Sequence, residues 1–121
     1  MKFFLYIIIA ISLFSCKKNQ TGGRSKISGL VAHHGVLIPN ARVYIKFNAN
    51  EFPGDDYSLY DTYIDADEHG KYDISFYKGT YYLYAKGYDY NIPYPHLVKG
   101  GLSVTLRHKE NLKKDIAVTE D

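Results

Sequence analysis

Hydrophobic and polar residues alternate along most of the chain from residue 26 onward. The clearest case is the segment ARVYIKF at 41–47, in which every second residue is apolar. Successive side chains of a β-strand leave opposite faces of the backbone, so this period of two predicts half-buried strands. The pattern predicts seven strands, of which the third is the least regular: 26–32, 41–47, 57–64, 72–76, 80–87, 102–106 and 115–118.

Turn residues separate these segments and set the fold class. Glycine, proline and asparagine cluster between the predicted strands, as in YKGT at 77–80, where Gly79 is free to adopt a positive φ. No segment after the first fifteen residues has the periodicity of a helix. Seven short strands at this spacing predict an all-β fold, a seven-stranded antiparallel β-sandwich. A closed barrel is the main alternative.

The first fifteen residues have a different pattern. A basic residue, Lys2, precedes an apolar run from Phe3 to Ile11, which is typical of a secretory signal and too short for a comfortable membrane span. The segment LFSC at 13–16 resembles the lipobox of bacterial lipoproteins, apart from Phe14, which replaces the usual small residue. The resemblance implies a signal peptide at 1–15 and acylation of Cys16, with palmitate among the acyl chains. An ordinary signal peptide or an anchor helix is the alternative.

This organisation predicts a chain held at a membrane by the lipid on Cys16, with no transmembrane helix. Residues 16–25 contain two glycines and no apolar periodicity, which predicts a flexible tether ahead of a single domain at 26–121. The tether lysines offer weak attraction to anionic headgroups, but a solvated linker is the favoured interpretation. By resemblance to lipoprotein sorting rules, we expect the outer membrane of a Gram-negative envelope, facing the periplasm.

The stretch DADEHGKY at 65–72 begins with the residue spacing of a calcium-binding loop. Asp65, Asp67 and Gly70 match positions 1, 3 and 6, but position 5 is His69 and position 12 is Phe76, which has no oxygen ligand. The flanking segments are also strands. A hairpin turn is therefore the favoured interpretation, with Asp67 accepting backbone N–H groups and Gly70 left-handed. A weak cation site at Asp65 and Asp67 is the alternative.

The order of these segments resembles the carboxypeptidase regulatory-like domain. The pieces that carry the resemblance are ISGLV, IPNARVYI, DADEHGKYDI, GTYYLYAKG and DIAV, and they span most of 26–118. The resemblance implies a transthyretin-like (prealbumin-like) Greek-key sandwich that binds or assembles and has no chemistry of its own. The related hydroxyisourate hydrolases end in a tyrosine-arginine-glycine-serine motif, which IAVTED at 116–121 lacks.

Catalytic and nucleic-acid signals are weak. Fifteen basic residues nearly balance thirteen acidic ones, so nothing suggests nucleic acid. The five histidines lack metal-ligand spacing and are expected in loops or on the surface: His33, His34, His69, His96 and His108. No serine lies in a G-x-S-x-G setting. We therefore expect a protein that is not an enzyme and that needs no cofactor.

Tyrosine is the unusual residue, with thirteen copies and no tryptophan. The candidate ligand-binding residues are outward-facing tyrosines of the strand 80–87 and tyrosines of the loop that follows: Tyr82, Tyr84, Tyr88, Tyr90 and Tyr94. Their flat faces and hydroxyls suit sugar rings or protein surfaces. For Tyr88 and Tyr94 the favoured interpretation is nevertheless that they fold back to cap the core, and recognition is the alternative. The leading hypothesis is a binding or assembly module for an envelope protein, followed by a glycan-binding module and then by an enzyme.

Overall fold

The computed structural model describes residues 17–120, so the predicted signal peptide at 1–15 and the lipidation site Cys16 lie outside the described residues. The described part contains nine strands and a single 3-10 turn at Tyr57–Leu59. The strands are β1 (Thr21–His33), β2 (Val36–Leu37), β3 (Arg42–Phe47), β4 (Thr62–Asp65), β5 (Lys71–Phe76), β6 (Gly79–Tyr88), β7 (Leu97–Leu106), β8 (Asn111–Lys113) and β9 (Ile116–Ala117). Between residues 17 and 120 there is no helix of the length and hydrophobicity that a membrane crossing requires.

The strands form two sheets. In the first sheet the long strand β1 pairs antiparallel with β2 and β5, and parallel with β8 and β9. In the second sheet the order is β4-β3-β6-β7 and every neighbour is antiparallel. The two sheets meet at one edge through a bridge between Lys99 of β7 and Thr119.

One hydrophobic core is built from the inward faces of both sheets. The first sheet contributes Ile27, Val31, Tyr72, Phe76 and Ile116, and the second contributes Val43, Ile45, Tyr81, Leu83, Ala85, Val98, Val104 and Leu106. Within each strand these residues are separated by an even number of positions, so the alternation of the sequence places them on one face. Burial of this apolar surface is the main force that holds the two sheets together.

The predicted all-β class is confirmed, but the sheets differ in detail from the prediction. The described residues hold nine strands instead of seven, and the first sheet is mixed instead of antiparallel. The segment after β7 turns at Arg107–Glu110 and then runs alongside β1 in the same direction. The period-two pattern reports which residues face inward but carries no information on strand direction, so it could not reveal this arrangement.

The predicted tether at 16–25 is wrong for its second half. Strand β1 begins at Thr21 and pairs with Phe76, and a bulge between Thr21 and Ser25 accommodates the two glycines. The Asn19 amide donates to the Lys78 carbonyl oxygen at 2.9 Å, and the Asn19 side-chain oxygen accepts from the Thr80 amide at 3.0 Å. The two glycines predicted flexibility, whereas in the structure they lie in the irregular first part of β1.

Candidate functional site

The outward face of the second sheet is rich in tyrosine. Tyr44 of β3, Tyr63 of β4, and Tyr82 and Tyr84 of β6 alternate with the inward-facing core residues of the same strands. In the pairing register Tyr44 lies opposite both Tyr63 and Tyr84. Cross-strand neighbours on one face are about 5 Å apart at Cβ, so the sheet gathers these rings into one surface.

A long connection, residues 48–61, folds over half of this surface. Phe52 packs on Tyr84 with ring centroids 5.0 Å apart, and Tyr60 stacks on Tyr84 at 5.8 Å. The 3-10 turn of the connection is capped by Asp56, whose carboxylate accepts from the Ser58 amide at 2.9 Å. The connection 48–61 leaves Tyr84 only 3% exposed, although the Tyr84 side chain points away from the core.

Asp55 fastens this connection to the sheet. Its carboxylate accepts a hydrogen bond from the Tyr84 hydroxyl and lies 3.0 Å from Lys99 Nζ and 3.4 Å from Lys86 Nζ. The hydrogen bond from Tyr84, followed by that from Lys99, lowers the pKa of Asp55 to about 2. Burial and the Asp55 carboxylate raise the pKa of Tyr84, so this hydroxyl remains a donor at neutral pH.

The other half of the face is open and forms a hollow of about 590 Å³, called the tyrosine groove below. It is lined by Arg42, Tyr44, Tyr57, Ser58, Tyr60, Asp61, Thr62 and Tyr63. Tyr57 stacks on Tyr44 at 5.5 Å, and Tyr63 lies on the other side of Tyr44 at 6.1 Å. Tyr57 and Tyr63 are 64% and 50% exposed, so two aromatic faces flank the half-buried ring of Tyr44.

Arg42 brings a fixed positive charge to the groove. Its guanidinium lies 4.1 Å from the centre of the Tyr63 ring, in cation–π geometry. The same guanidinium donates to the Asp65 carboxylate at 2.9 and 3.3 Å, and this bond raises the pKa of Arg42. The groove therefore combines flat apolar faces with a donor that is held in place.

A second hollow of about 620 Å³ continues from the tyrosine groove on the far side of Tyr57. It shares Arg42, Tyr44 and Tyr57 with the groove and reaches Tyr88, the last residue of β6. Tyr88 begins the aromatic loop, residues 88–96. The open aromatic surface thus extends from β4 to this loop.

Three tyrosines of the aromatic loop are displayed to solvent. Tyr88, Tyr90 and Tyr94 are 53%, 78% and 88% exposed. Tyr88 and Tyr90 are stacked at 6.4 Å, and His96 contacts the rings of Tyr90 and Tyr94 at 5.1 and 5.9 Å. The expectation that Tyr88 and Tyr94 cap the core is therefore wrong. Ile92 is the residue of this loop that packs against the core instead.

A buried histidine and a buried aspartate hold the aromatic loop. Asp89 accepts from the Asn91 amide at 3.0 Å, and its other carboxylate oxygen lies 2.8 Å from Nδ1 of His33 at the end of β1. The His33 hydrogen bond is the main cause of the lowered pKa of Asp89. The sequence predicted a loop or surface position for His33, and this is wrong because its side chain is 4% exposed.

The predicted candidates fall into two groups. Tyr88, Tyr90 and Tyr94 are accessible, whereas Tyr84 is covered and Tyr82 is half-buried beside Phe52. Tyr57 and Tyr63 were not among the predicted candidates, because both lie in the predicted strand 57–64, where tyrosine is an ordinary strand residue. The available signal was the irregular alternation of 57–64, which indicated a segment that leaves the sheet; the structure places a 3-10 turn there.

The stretch DADEHGKY forms the predicted turn. The Asp67 side chain accepts from the amides of His69 and Lys71 at 2.8 and 2.9 Å, and Gly70 has a φ of +74°. The two backbone hydrogen bonds lower the pKa of Asp67. Asp65 is engaged by Arg42, as described above. Within residues 17–120, no three histidine, cysteine, aspartate or glutamate side chains are grouped so that they could hold a metal ion.

Two solved structures are similar to this chain. A "putative carbohydrate binding protein" from Pseudomonas aeruginosa matches with a TM-score of 0.56 at 13% identity, over 89% of this chain and 95% of the other. A DUF3823 family protein from Parabacteroides merdae matches with a TM-score of 0.50 at 19% identity, over 81% of this chain. This chain covers 47% of that second protein, about half its length.

These similarities show the fold alone, because both identities are low. No family model and no curated protein matches the sequence. Both structural neighbours agree with the all-β architecture described above. A shared fold does not determine function, so the chemistry of the surface decides what this chain can bind.

Proposed function

We propose that this chain is a lipid-anchored, non-catalytic module of a Gram-negative cell envelope that binds a glycan through the tyrosine groove and the aromatic loop. The observation that carries the proposal is the pair of exposed rings, Tyr57 and Tyr63, that flank Tyr44 in an open groove. Pyranose rings have apolar faces that pack on aromatic side chains, and tyrosine adds a hydroxyl that can hydrogen bond at the rim.

Polar groups along the groove suit the hydroxyls of a sugar. Arg42 supplies N–H donors, Asp61 supplies an acceptor, and Ser58 can do either. Arg42 is positioned by Asp65, so little side-chain entropy is lost when it donates to a ligand. The groove is open at the surface and continues towards Tyr88, which suits a chain of sugar residues better than a single small molecule.

The assignment to a lipid-anchored module of the cell envelope rests on the sequence resemblances together with the fold. A Greek-key, transthyretin-like sandwich of the carboxypeptidase regulatory-like kind agrees with two sheets around one core. The similarity to a "putative carbohydrate binding protein" over 95% of that protein's length supports a glycan as ligand. The lipobox-like segment before Lys17 supports attachment at the outer membrane, with the domain in the periplasm.

Calorimetric titration with envelope polysaccharides and soluble oligosaccharides tests the proposal. We expect at least one glycan to bind, and Tyr57→Ala and Tyr63→Ala each to weaken binding about tenfold, which corresponds to about 1.4 kcal/mol. Tyr77→Ala is the matched control, because Tyr77 follows β5 at the opposite end of the domain from the aromatic loop. Absence of binding to every glycan, or equal losses in all three variants, would overturn the proposal.

A protein partner is the second candidate, favoured by the edge of the second sheet. Strand β4 pairs with β3, and in the described part of the chain no strand pairs with its other edge. An exposed edge is a template for an added strand. The two candidates are separated by incubating the protein with envelope extract that has been digested either with protease or with glycan-cleaving periodate. A glycan ligand survives the first treatment, and a protein partner survives the second.

A further inference from the structure

The two ends of the domain differ in charge. At the end where β1 begins and β7 stops, six exposed basic residues lie before β1, in the first residues of β1 and in two turns: Lys17, Lys18, Arg24, Lys78, Arg107 and Lys109. We call this surface the basic end. The pairings of Thr21 with Phe76 and of Gly79 with Leu106 bring these turns to one end of both sheets.

The charges of the basic end are not neutralised within the described residues. None of the six basic side chains forms an ion pair with a residue between 17 and 120, whereas five basic residues elsewhere do: Lys26, Arg42, Lys46, Lys86 and Lys99. Two acids at this end are hydrogen bonded to backbone amides. Glu110 accepts from the Arg107 amide at 2.9 Å, and Asp61 accepts from the Phe47 amide at 2.7 Å while it pairs with Lys46.

The opposite end carries exposed acidic residues. The turn between β4 and β5 carries Asp67 and Glu68, and Glu120 lies beside His33. Strand β6 starts at Gly79 near the basic end and finishes at Tyr88, where the aromatic loop begins. Ten residues of strand span about 30 Å, so the aromatic loop lies at the far end of the domain.

The folded part begins very close to the predicted lipid. Asn19 is already hydrogen bonded to Lys78 and Thr80, and it follows Cys16 by three residues. Three extended residues reach at most about 11 Å. Lys17 and Lys18 follow Cys16 by one and two residues, so they lie at most about 7 Å from it. This is within the Debye length of about 8 Å at physiological ionic strength, so a lipid on Cys16 would hold the start of the basic end within range of headgroup charge.

We propose that the basic end docks on anionic phospholipid headgroups of the leaflet that holds the lipid, so that the aromatic loop faces away from the membrane. The inference rests on the lipid anchor of the proposed function but not on its glycan. Clustered basic residues next to a membrane anchor are attracted to anionic lipids, and the short link restricts rotation of the domain. Docking would leave the tyrosine groove open along the side of the domain and the aromatic loop at its outer end.

Fluorescence quenching on vesicles tests this orientation. The lipidated protein is labelled at a single introduced thiol, either His108→Cys at the basic end or Tyr90→Cys in the aromatic loop. It is then reconstituted in vesicles that contain a headgroup-spin-labelled quencher. With phosphatidylglycerol in the vesicles, we expect the label at 108 to be quenched at least threefold more than the label at 90. In vesicles of phosphatidylcholine alone, or in high salt, we expect the difference to decrease.

Charge reversal provides the matched control. Lys78→Glu with Lys109→Glu should remove most of the difference in quenching, whereas Lys71→Glu with Lys114→Glu, the same charge change on the first sheet, should preserve it. Equal quenching at 108 and 90 on anionic vesicles, or equal effects of the two double variants, would overturn the orientation and leave glycan binding untouched. Protein that carries no lipid and does not float with the vesicles would overturn both the orientation and the anchor.

Discussion

The outward faces of the two sheets follow the same alternation but carry different side chains. On the first sheet, Lys26 of β1 faces Asp73 of β5 across 3.2 Å, and both side chains are about half exposed. On the second sheet the corresponding positions carry Tyr44, Tyr63 and Tyr84. The first face is a solvated surface, whereas the second has been divided into a covered half and an open half.

The difference shows how an outward side chain can become structural or functional according to what covers it. Tyr84 lies beneath Phe52 and Tyr60 and donates to Asp55, so it acts as part of a small second core. Tyr63 is on the same face, but the connection 48–61 leaves it half exposed. Exposed rings held by a rigid sheet suit binding, because little entropy is lost when they contact a ligand.

The largest expected effect is the loss of the covered ring. Tyr84→Ala removes the ring between Phe52 and Tyr60 and leaves Asp55 without its hydroxyl partner, so we expect the free energy of unfolding to fall by about 3 kcal/mol. Urea denaturation measures this value. The comparison is Ser75→Ala on the outward face of the first sheet, where we expect a change of less than about 0.5 kcal/mol. Equal losses in the two variants would contradict the division between the faces.

Much of the fold could be predicted because alternation reports burial directly. Strands β3, β5 and β6 lie within one or two residues of their predicted bounds, since each combines clean alternation with clear turns. The start of β1 and the first half of β7 were missed because glycine pairs, Gly22–Gly23 and Gly100–Gly101, resemble linkers. At Gly100 a Cβ would lie 2.2 Å from the Ala117 carbonyl oxygen, a close approach that depends on a distant segment.

The candidate site was harder to predict than the fold. Tyr84 faces outward by periodicity, yet its cover comes from Phe52 and Tyr60, whose contacts depend on how the connection 48–61 folds. His33 gave no sign of burial, because its partner Asp89 is 56 residues away. Long-range partners of this kind are set by tertiary packing, so they could not be predicted from the local pattern of one sequence.

Removing only the hydroxyl of Tyr84 separates the contribution of its ring contacts from that of its hydrogen bond to Asp55. Tyr84→Phe keeps the ring contacts and deletes the hydrogen bond to Asp55, which Lys99 and Lys86 still hold. We therefore expect a loss of about 1 kcal/mol in the free energy of unfolding, clearly smaller than for Tyr84→Ala. A loss as large as that of Tyr84→Ala would mean that the ring contributes little by packing.

Acid should weaken the attachment of the connection 48–61 to the second sheet, because this attachment depends on the Asp55 carboxylate. The pKa of Asp55 is lowered to about 2 in the folded protein, against about 4 in an unfolded chain. Its contribution to stability is therefore complete above about pH 4 and is lost as the pH falls through about 2. We expect the difference in unfolding free energy between wild type and Asp55→Asn to shrink over this range. A difference that stays constant from pH 5 to pH 2 would contradict the role of Asp55.

The smallest effect is expected on the solvated face. Lys26 and Asp73 form an exposed pair, and such pairs contribute between zero and about 1 kcal/mol. We expect Asp73→Asn to change the unfolding free energy by less than about 0.5 kcal/mol, with any change abolished by salt. A double-mutant cycle with Lys26→Met measures the coupling, and a coupling above about 1 kcal/mol would mean that the two faces are more alike than described.

We propose that the open half of the tyrosine face recognises a glycan. The most direct measurement is proton NMR of the assigned tyrosine rings during titration with a glycan that the protein binds. We predict that the ring resonances of Tyr57 and Tyr63 shift together and saturate at the affinity found by calorimetry, while those of Tyr77 stay unchanged. Saturable binding that leaves the rings of Tyr57 and Tyr63 unshifted would contradict the claim.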